Sequence, residues 1–304
     1  MSQAQLSQDA LAPARSAGPS RVEGAGDDPT AVDTVWTERV SWIDRVPRGL
    51  AIAGLFVAFL VVWQLVFISA IVSPIILPSP MQTWNQLVFV GANLASGGYM
   101  LAALWITVQE VFYSFTLAMM IGFSLGVLVG ETGFGERAVM PYLVALDTMP
   151  KIAFAPLFIA WLGFGISSKV ALATFIATFP IVVGTAAGLH AADENARMLF
   201  KTMGASRLQT LFRMKLPTGL PQLFTGLKIA SVGVMAGVIT GVFLGGGKGF
   251  GELIRIAATQ LDTARVFALI IYLSLLGLAM FGTVVWLQRR LVFWHKSSVA
   301  QGTL

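Results

Sequence analysis

The chain has no cysteine, so neither disulfides nor thiolate-bound metals hold it together. Histidine is almost missing as well. His190 and His295 lie more than a hundred residues apart, and no HExxH or similar metal-ligand spacing occurs. Charge is scarce: 12% of residues are charged and 56% hydrophobic, where a soluble domain carries about a quarter charged residues. From Gly49 to Gln109 there is no Asp, Glu, Lys or Arg at all. About 20 apolar residues span a bilayer, so that stretch marks a membrane protein. A basic start followed by an apolar core is also lacking, and no secretory signal peptide is expected.

What is present is a series of long apolar runs. Six are placed at Gly49–Val72, Leu101–Val129, Ala138–Leu162, Val170–Leu189, Leu223–Leu244 and Val266–Leu287. The third is interrupted by Asp147, Pro150 and Lys151. The expected fold is an all-α polytopic membrane protein with about six transmembrane helices. Residues 1–29 are rich in Ala, Ser, Gly, Pro and Asp without an aromatic, and are expected to be disordered. In residues 30–47, Val32, Val35, Trp36, Val40 and Ile43 recur at helical spacing. An amphipathic interfacial helix is expected there, the alternative being an extension of the first span. Residues 48–290 form the membrane domain, with a polar connection at 190–221, and 291–304 form a tail.

The 20 Lys and Arg residues are unevenly spread. With the N-terminus inside, fifteen fall on the cytoplasmic side and only Lys169, Lys248, Arg255 and Arg265 on the outer side; Lys151 lies within a span. The inside-positive bias therefore places both termini in the cytoplasm. The net charge of +5 reads as topology and not as a nucleic-acid surface.

Three acids or bases lie deep in apolar runs: Glu110, Asp147 and Lys151. Buried membrane charges are expensive unless paired or wetted, so they are candidates for a translocation pathway. Pro150 should break its helix and free backbone carbonyls for such a pathway. The alternative is structural: Asp147 and Lys151 neutralise each other, and Glu110 bonds a neighbouring span or meets outer water. The run GGGKGFGELI, Gly245–Ile254, does not fit a phosphate-binding loop, because Lys248 is followed by glycine. It is expected to be a tight outer loop opening a short helix. Glycines recur every fourth residue at Gly122, Gly126 and Gly130, and at Gly233 and Gly237, a spacing that allows close helix packing.

The cytoplasmic stretch KTMGASRLQTLFRMKLPTGLPQ, Lys201–Gln222, is basic. Ser206 followed by Gln209 makes a capping box. Leu208, Leu211 and Phe212 then share one helical face, and Pro217 should stop the helix. Such a short amphipathic element fits a groove on a partner; the alternative is a solvated loop that serves the charge bias alone.

Gly204, nine residues, then Met214-x-Leu216-Pro217 resembles the EAA loop of ATP-binding-cassette importer permeases. Met149–Lys169, Phe179–Leu189 and Leu216–Ala230 are similar to the nitrate, sulfonate and taurine branch of that family. The resemblance implies a type I importer permease fold and a bacterial inner-membrane location. It implies two permease copies forming one pathway, each bound to a cytoplasmic ATPase subunit, and a periplasmic binding protein that delivers a small anion. ATP and Mg²⁺ would be held by the ATPase subunits, and the chain itself would need no cofactor or metal. ATP binding would move the loop helices and turn the pathway outward; hydrolysis would reset it. Carried onto this chain, the coupling residues are Gly204, Ser206, Leu208, Leu211, Phe212, Arg213 and Pro217. Where the family has Glu-Ala-Ala this chain has Met198, Leu199 and Phe200, and Glu194 one turn earlier is the substitute acid. Thr240-Gly241 stands where the family often has Ala-Glu. The competing readings are an ion-gradient-driven carrier and a membrane enzyme, each built on Glu110, Asp147 and Lys151.

Overall fold

The computed structural model describes residues 47–294. The expected disordered tail, the interfacial helix (apart from its last residue, Pro47) and the last ten residues lie outside them. The described residues are helical throughout, without a strand. Five helices among them are long and apolar enough to cross a membrane, or six if one bent pair counts as a single span.

Helix α1 covers Arg48–Ile68. Its residues from Phe56 onward expose Val57, Phe59, Val62 and Leu65, the surface of a helix made to face lipid or another chain. In the connection after it, Pro78 and Pro80 of ILPSP suggest only a turn by composition. It instead contains α2, Pro80–Ala95. Ser79 caps it: its Oγ accepts from the Gln82 amide at 3.1 Å, and Gln82 Oε1 accepts from the Ser79 amide at 3.0 Å. Ser-Pro-x-Gln is itself a helix-start signal, with proline at the first helical position where no donor is lost.

Helix α3, Tyr99–Glu131, runs the full depth of the bundle. The third apolar run is no straight span. A π-helical turn at Gly135–Val139 leads into α4, Met140–Thr148; the chain breaks at Pro150, makes a 3-10 turn at Lys151–Phe154 and continues as α5, Ala155–Leu162. The two halves meet at 90°. Pro150 has ψ of 89° and breaks the helix as its ring chemistry requires.

Helix α6, Ile166–His190, lies between α3 and α9, Leu216–Gly245. Glycines set both contacts. A Cβ at Gly126 would sit 2.5 Å from Thr185 Cβ, and one at Gly122 would sit 2.9 Å from the Thr178 carbonyl oxygen. On the other side Gly188 faces Gly219 and Gly184 faces Gly226, and a Cβ at Gly188 would lie 2.5 Å from the Gly219 oxygen. The expected close packing at Gly122, Gly126, Gly130 and Gly237 is therefore present. Two short helices, α7 (Glu194–Thr202) and α8 (Arg207–Thr210), connect α6 to α9. The short helix α10, Phe250–Thr259, follows the glycine-rich loop as expected, and α11, Thr263–Leu291, closes the described chain. α11 packs on α2, α9 and α10.

A test of the packing is Gly188→Val. It should cost about 1–3 kcal/mol, as overpacked helix contacts do, and lower the melting midpoint of the detergent-solubilised protein. Gly282→Val, where a Cβ meets nothing within 4 Å, should leave that midpoint in place. Equal midpoints for the two variants would contradict the α6–α9 contact.

Candidate functional site

The two ends of the bundle carry different chemistry. At one end lies the glycine loop between α9 and α10. Gly246, Gly247 and Gly249 all have positive φ, which lets the chain fold tightly over the ends of α3 and α6. Lys169 had been assigned to the outer loops. It lies instead inside α6, and its side chain is only 1% exposed. The reason is Glu110 on α3, which is 0% exposed and meets Lys169 Nζ at 2.5 Å. Lys169 also donates to the Lys248 carbonyl at 3.0 Å. Thr107, one turn before Glu110, accepts from the Phe250 amide at 2.8 Å. Among the described residues neither Glu110 oxygen accepts a hydrogen bond of ordinary geometry, and the cation that meets its charge is Lys169. Glu110 thus bonds a neighbouring span and opens to no surface of this protomer. Nearby on α10, the Arg255 guanidinium hydrogen-bonds Glu252 and holds that carboxyl below the usual carboxylate range.

Asp147 and Lys151 flank the break at Pro150 and form an ion pair across it, partly exposed. They stand at a cavity of about 470 Å³ between α3, α4, α5 and α6. Its walls include Leu117, Leu143, Phe158 and Phe175, with Phe158 and Phe175 ring centroids 6.0 Å apart. The two charges neutralise each other, as the structural alternative had it, at a cavity that the pathway reading also uses. The arrangement offers aromatic faces, one carboxylate and one ammonium, without net charge.

The other end of the bundle carries the basic connection. Asp193 caps α7 by accepting from the Asn195 amide, and Glu194 pairs with Arg197 at 2.9 Å on the surface. Gly204, φ +74°, ends α7, and the Ala205 amide donates back to the Phe200 carbonyl at 3.0 Å. That is the six-residue C-terminal closure for which glycine is suited. The Ser206–Gln209 capping box then starts α8 as expected, with both reciprocal bonds made.

Two expectations fail here. Pro217 does not stop the helix. Residues 207–244 form one continuous helical rod, because a π-helical turn at Leu211–Lys215 widens the backbone just ahead of the proline. There the Leu216 amide reaches back five residues to Leu211; the wider turn relieves the clash a proline ring makes with a helix carbonyl. The same turn swings Leu211 inward. It is 8% exposed, while Leu208 and Phe212 remain on the surface at 66% and 59%. Leu211, Leu208 and Phe212 therefore do not share one open face. The exposed apolar patch is made by Leu208 and Phe212 together with Met198, Leu199 and Met203 of the preceding turn and helix. Met198 and Leu199 were read only as part of the departure from the Glu-Ala-Ala pattern, and Met203 was not singled out. Their i, i+1, i+5 spacing on a strongly amphipathic helix was the available signal. Arg213 is exposed beside them. Lys215 is buried and donates to both carboxylate oxygens of Glu131 at 2.8 Å. Glu131, the last residue of α3, was not singled out in the sequence. Behind the patch is a cavity of about 590 Å³ lined by Glu131, Arg197, Lys201, Arg207 and Lys215. Among the described residues no cluster of His, Asp and Glu could hold a metal ion.

The buried Glu110–Lys169 pair gives a direct test. Lys169→Met leaves an unmet carboxylate and should cost roughly 3–5 kcal/mol, whereas the double variant Glu110→Leu with Lys169→Met should recover most of that. Thermal unfolding in detergent measures both. A double variant as unstable as the single would contradict the pairing.

Known proteins carry the same pattern. The family described as "Binding-protein-dependent transport system inner membrane component" matches residues 118–293. A formylaminopyrimidine transport permease protein of Halalkalibacterium halodurans is 37% identical over 243 residues, covering 79% of this chain and 94% of that protein. A putative aliphatic sulfonates transport permease protein of Bacillus subtilis is 27% identical, covering 86% and 90%. The taurine transport system permease protein of Escherichia coli is 25% identical, covering 85% and 95%. Among solved structures, an inward-facing methionine ABC transporter aligns with a TM-score of 0.54 at 18% identity, covering 64% of this chain and 96% of its own. That likeness shows the fold. Together they establish that the chain belongs to the binding-protein-dependent transport family and is the membrane-spanning permease subunit of an ABC importer, not itself an enzyme.

Proposed function

We propose that two copies of this chain form the pathway of an importer for a small solute, and that each copy is driven through residues 194–215 by an ATPase subunit. The observation that carries this reading is the α7–α8 unit. It presents Met198, Leu199, Met203, Leu208 and Phe212 to the surface, ringed by Lys201, Arg207 and Arg213, at the end of the bundle opposite the glycine loop. An apolar patch with a charged rim on a capped helical unit is the form of a helix that seats in a partner's groove. On this reading that end faces the cytoplasm, in keeping with the crowding of Lys and Arg there, and a periplasmic binding protein meets the other end. Glu194, already paired with Arg197, takes the place of the family's glutamate at the edge of the patch.

For the solute, the sulfonate, taurine or nitrate class is the first reading, supported by relatives named for sulfonate and taurine transport. A second reading is an uncharged aminopyrimidine. It is favoured by the 37% identical relative named for formylaminopyrimidine and by the cavity at Pro150. There the ammonium of Lys151 is already neutralised by Asp147, so a bare anion finds no free cation, whereas a ring finds the Phe158 and Phe175 faces.

The test is the double variant Leu199→Asp with Met203→Asp. Both side chains are exposed, so the permease should still fold, while co-purification with its ATPase and ATP-dependent uptake into proteoliposomes should fall at least tenfold. A double variant that binds its ATPase and transports normally would overturn the docking assignment. Competition of uptake by taurine, nitrate and 4-aminopyrimidine separates the two solute readings.

A further inference from the structure

Two ion pairs tie distant parts of this chain together, one fully buried and one with its acid 22% exposed, and both acids belong to α3. Glu110 meets Lys169 near the glycine loop, and Glu131 meets Lys215 at the opposite end. They lie 21 residues apart on one unbroken helix. At 1.5 Å per residue that is about 32 Å, and 100° per residue leaves them within about 60° of each other around the axis. One unbroken helix thus presents two carboxylates far apart along its length, one to Lys169 of α6 and one to Lys215 just ahead of α9.

The Lys215 end is built to hold its position. Lys215 is the last residue of the π-helical turn, and its side chain is 9% exposed. Both Nζ contacts to Glu131 are 2.8 Å. Just beyond Glu131, Thr132 Oγ1 donates to the Leu128 carbonyl and accepts from the Gly135 amide at 2.9 Å, which fixes the end of α3. On the other partner, α8, the π-helical turn and α9 are continuous, so α8 cannot shift without moving Lys215. Among the described residues, this is the one ion pair that joins the segment 194–215 to a spanning helix. A partly exposed ion pair is weak as a source of stability, since water screens it. Its use lies in fixing one arrangement.

We propose that the Glu131–Lys215 pair is a strut that passes movement of segment 194–215 into α3, and through α3 to the Glu110–Lys169 contact beneath the glycine loop. Glu131 and Lys215 are positioning residues for the transport cycle. They touch no solute, and within segment 194–215 it is the exposed residues Met198, Leu199, Met203, Leu208 and Phe212 that meet the ATPase, while Lys215 is only 9% exposed. This rests on the reading that residues 194–215 dock the ATPase. It adds the route by which that docking is felt in the membrane domain.

The chain has no cysteine of its own, so the strut can be replaced reversibly. Glu131→Cys with Lys215→Cys removes both charges together and leaves neither orphaned. The assembled importer, with ATPase subunits and binding protein, is reconstituted in proteoliposomes, and solute uptake and ATP hydrolysis are measured together. Without a bridge, the double variant should keep its ATPase and hydrolyse ATP, but uptake per ATP should fall at least tenfold. A reducible bis-methanethiosulfonate linker joining the two cysteines should bring that ratio back to within threefold of the unsubstituted protein, and reduction should abolish it again. The charge swap Glu131→Lys with Lys215→Glu should also restore the ratio. An unbridged variant with a normal ratio, or a ratio that neither the bridge nor the swap improves, overturns the strut. Failure of the unsubstituted chain to assemble with the ATPase would instead overturn the docking reading.

Discussion

Apolar helices gain nothing by hiding apolar surface from lipid, so α6 has to be held between α3 and α9 by contact alone. Glycine makes that contact possible. At Gly126 against Thr185 and at Gly188 against Gly219 there is no room for a single added carbon. The backbones therefore approach closely enough for dispersion between many atom pairs to replace the missing hydrophobic force. This three-helix core fixes where Glu110, Glu131, Lys169 and Lys215 can go.

Once α3, α6 and α9 are locked, the two ion pairs that α3 makes fall toward opposite ends of the core. Lys169 enters the protein four residues into α6 because Glu110 and the Lys248 carbonyl wait for it there. Gly241 and Gly247 leave space around its stem and its amine. Lys215 is placed in the same way by the π-helical turn that carries α8 into α9. The core is closely packed along its length, and the shorter elements are appended to its ends: the α7–α8 unit at one, the glycine loop and α10 at the other. An importer permease needs that division, since force applied by one partner must appear at the far side of a membrane.

Much of this was legible in the sequence, in particular elements and for stated reasons. The long apolar runs, the break at Pro150, the pairing of Asp147 with Lys151, the capping box at Ser206 and the glycine spacings all follow from local chemistry, and local chemistry is what a sequence displays. Lys169 and Glu110 are 59 positions apart, and nothing local tells a buried lysine that a carboxylate will meet it. Helix α2 was missed although Ser79-Pro80-x-Gln82 announces it, because the prolines before it drew attention to a turn. Pro217 and Leu211 were misplaced together: one added residue in a helical turn rotates every side chain on its near side, and no residue type marks a π-helical turn. The Glu131–Lys215 contact, 84 residues apart, belongs to the same class as Glu110–Lys169.

The account stands on one end of this molecule meeting an ATPase and the other meeting the outside. The cysteine-free chain allows that to be measured with single cysteines and a thiol-to-amine crosslinker in the assembled importer. A cysteine at Met203 should crosslink to the ATPase subunit, and one at Tyr99, at the opposite end of α3, should crosslink to the binding protein. Crosslinks from Tyr99 to the ATPase, or from Met203 to the binding protein, would contradict the account.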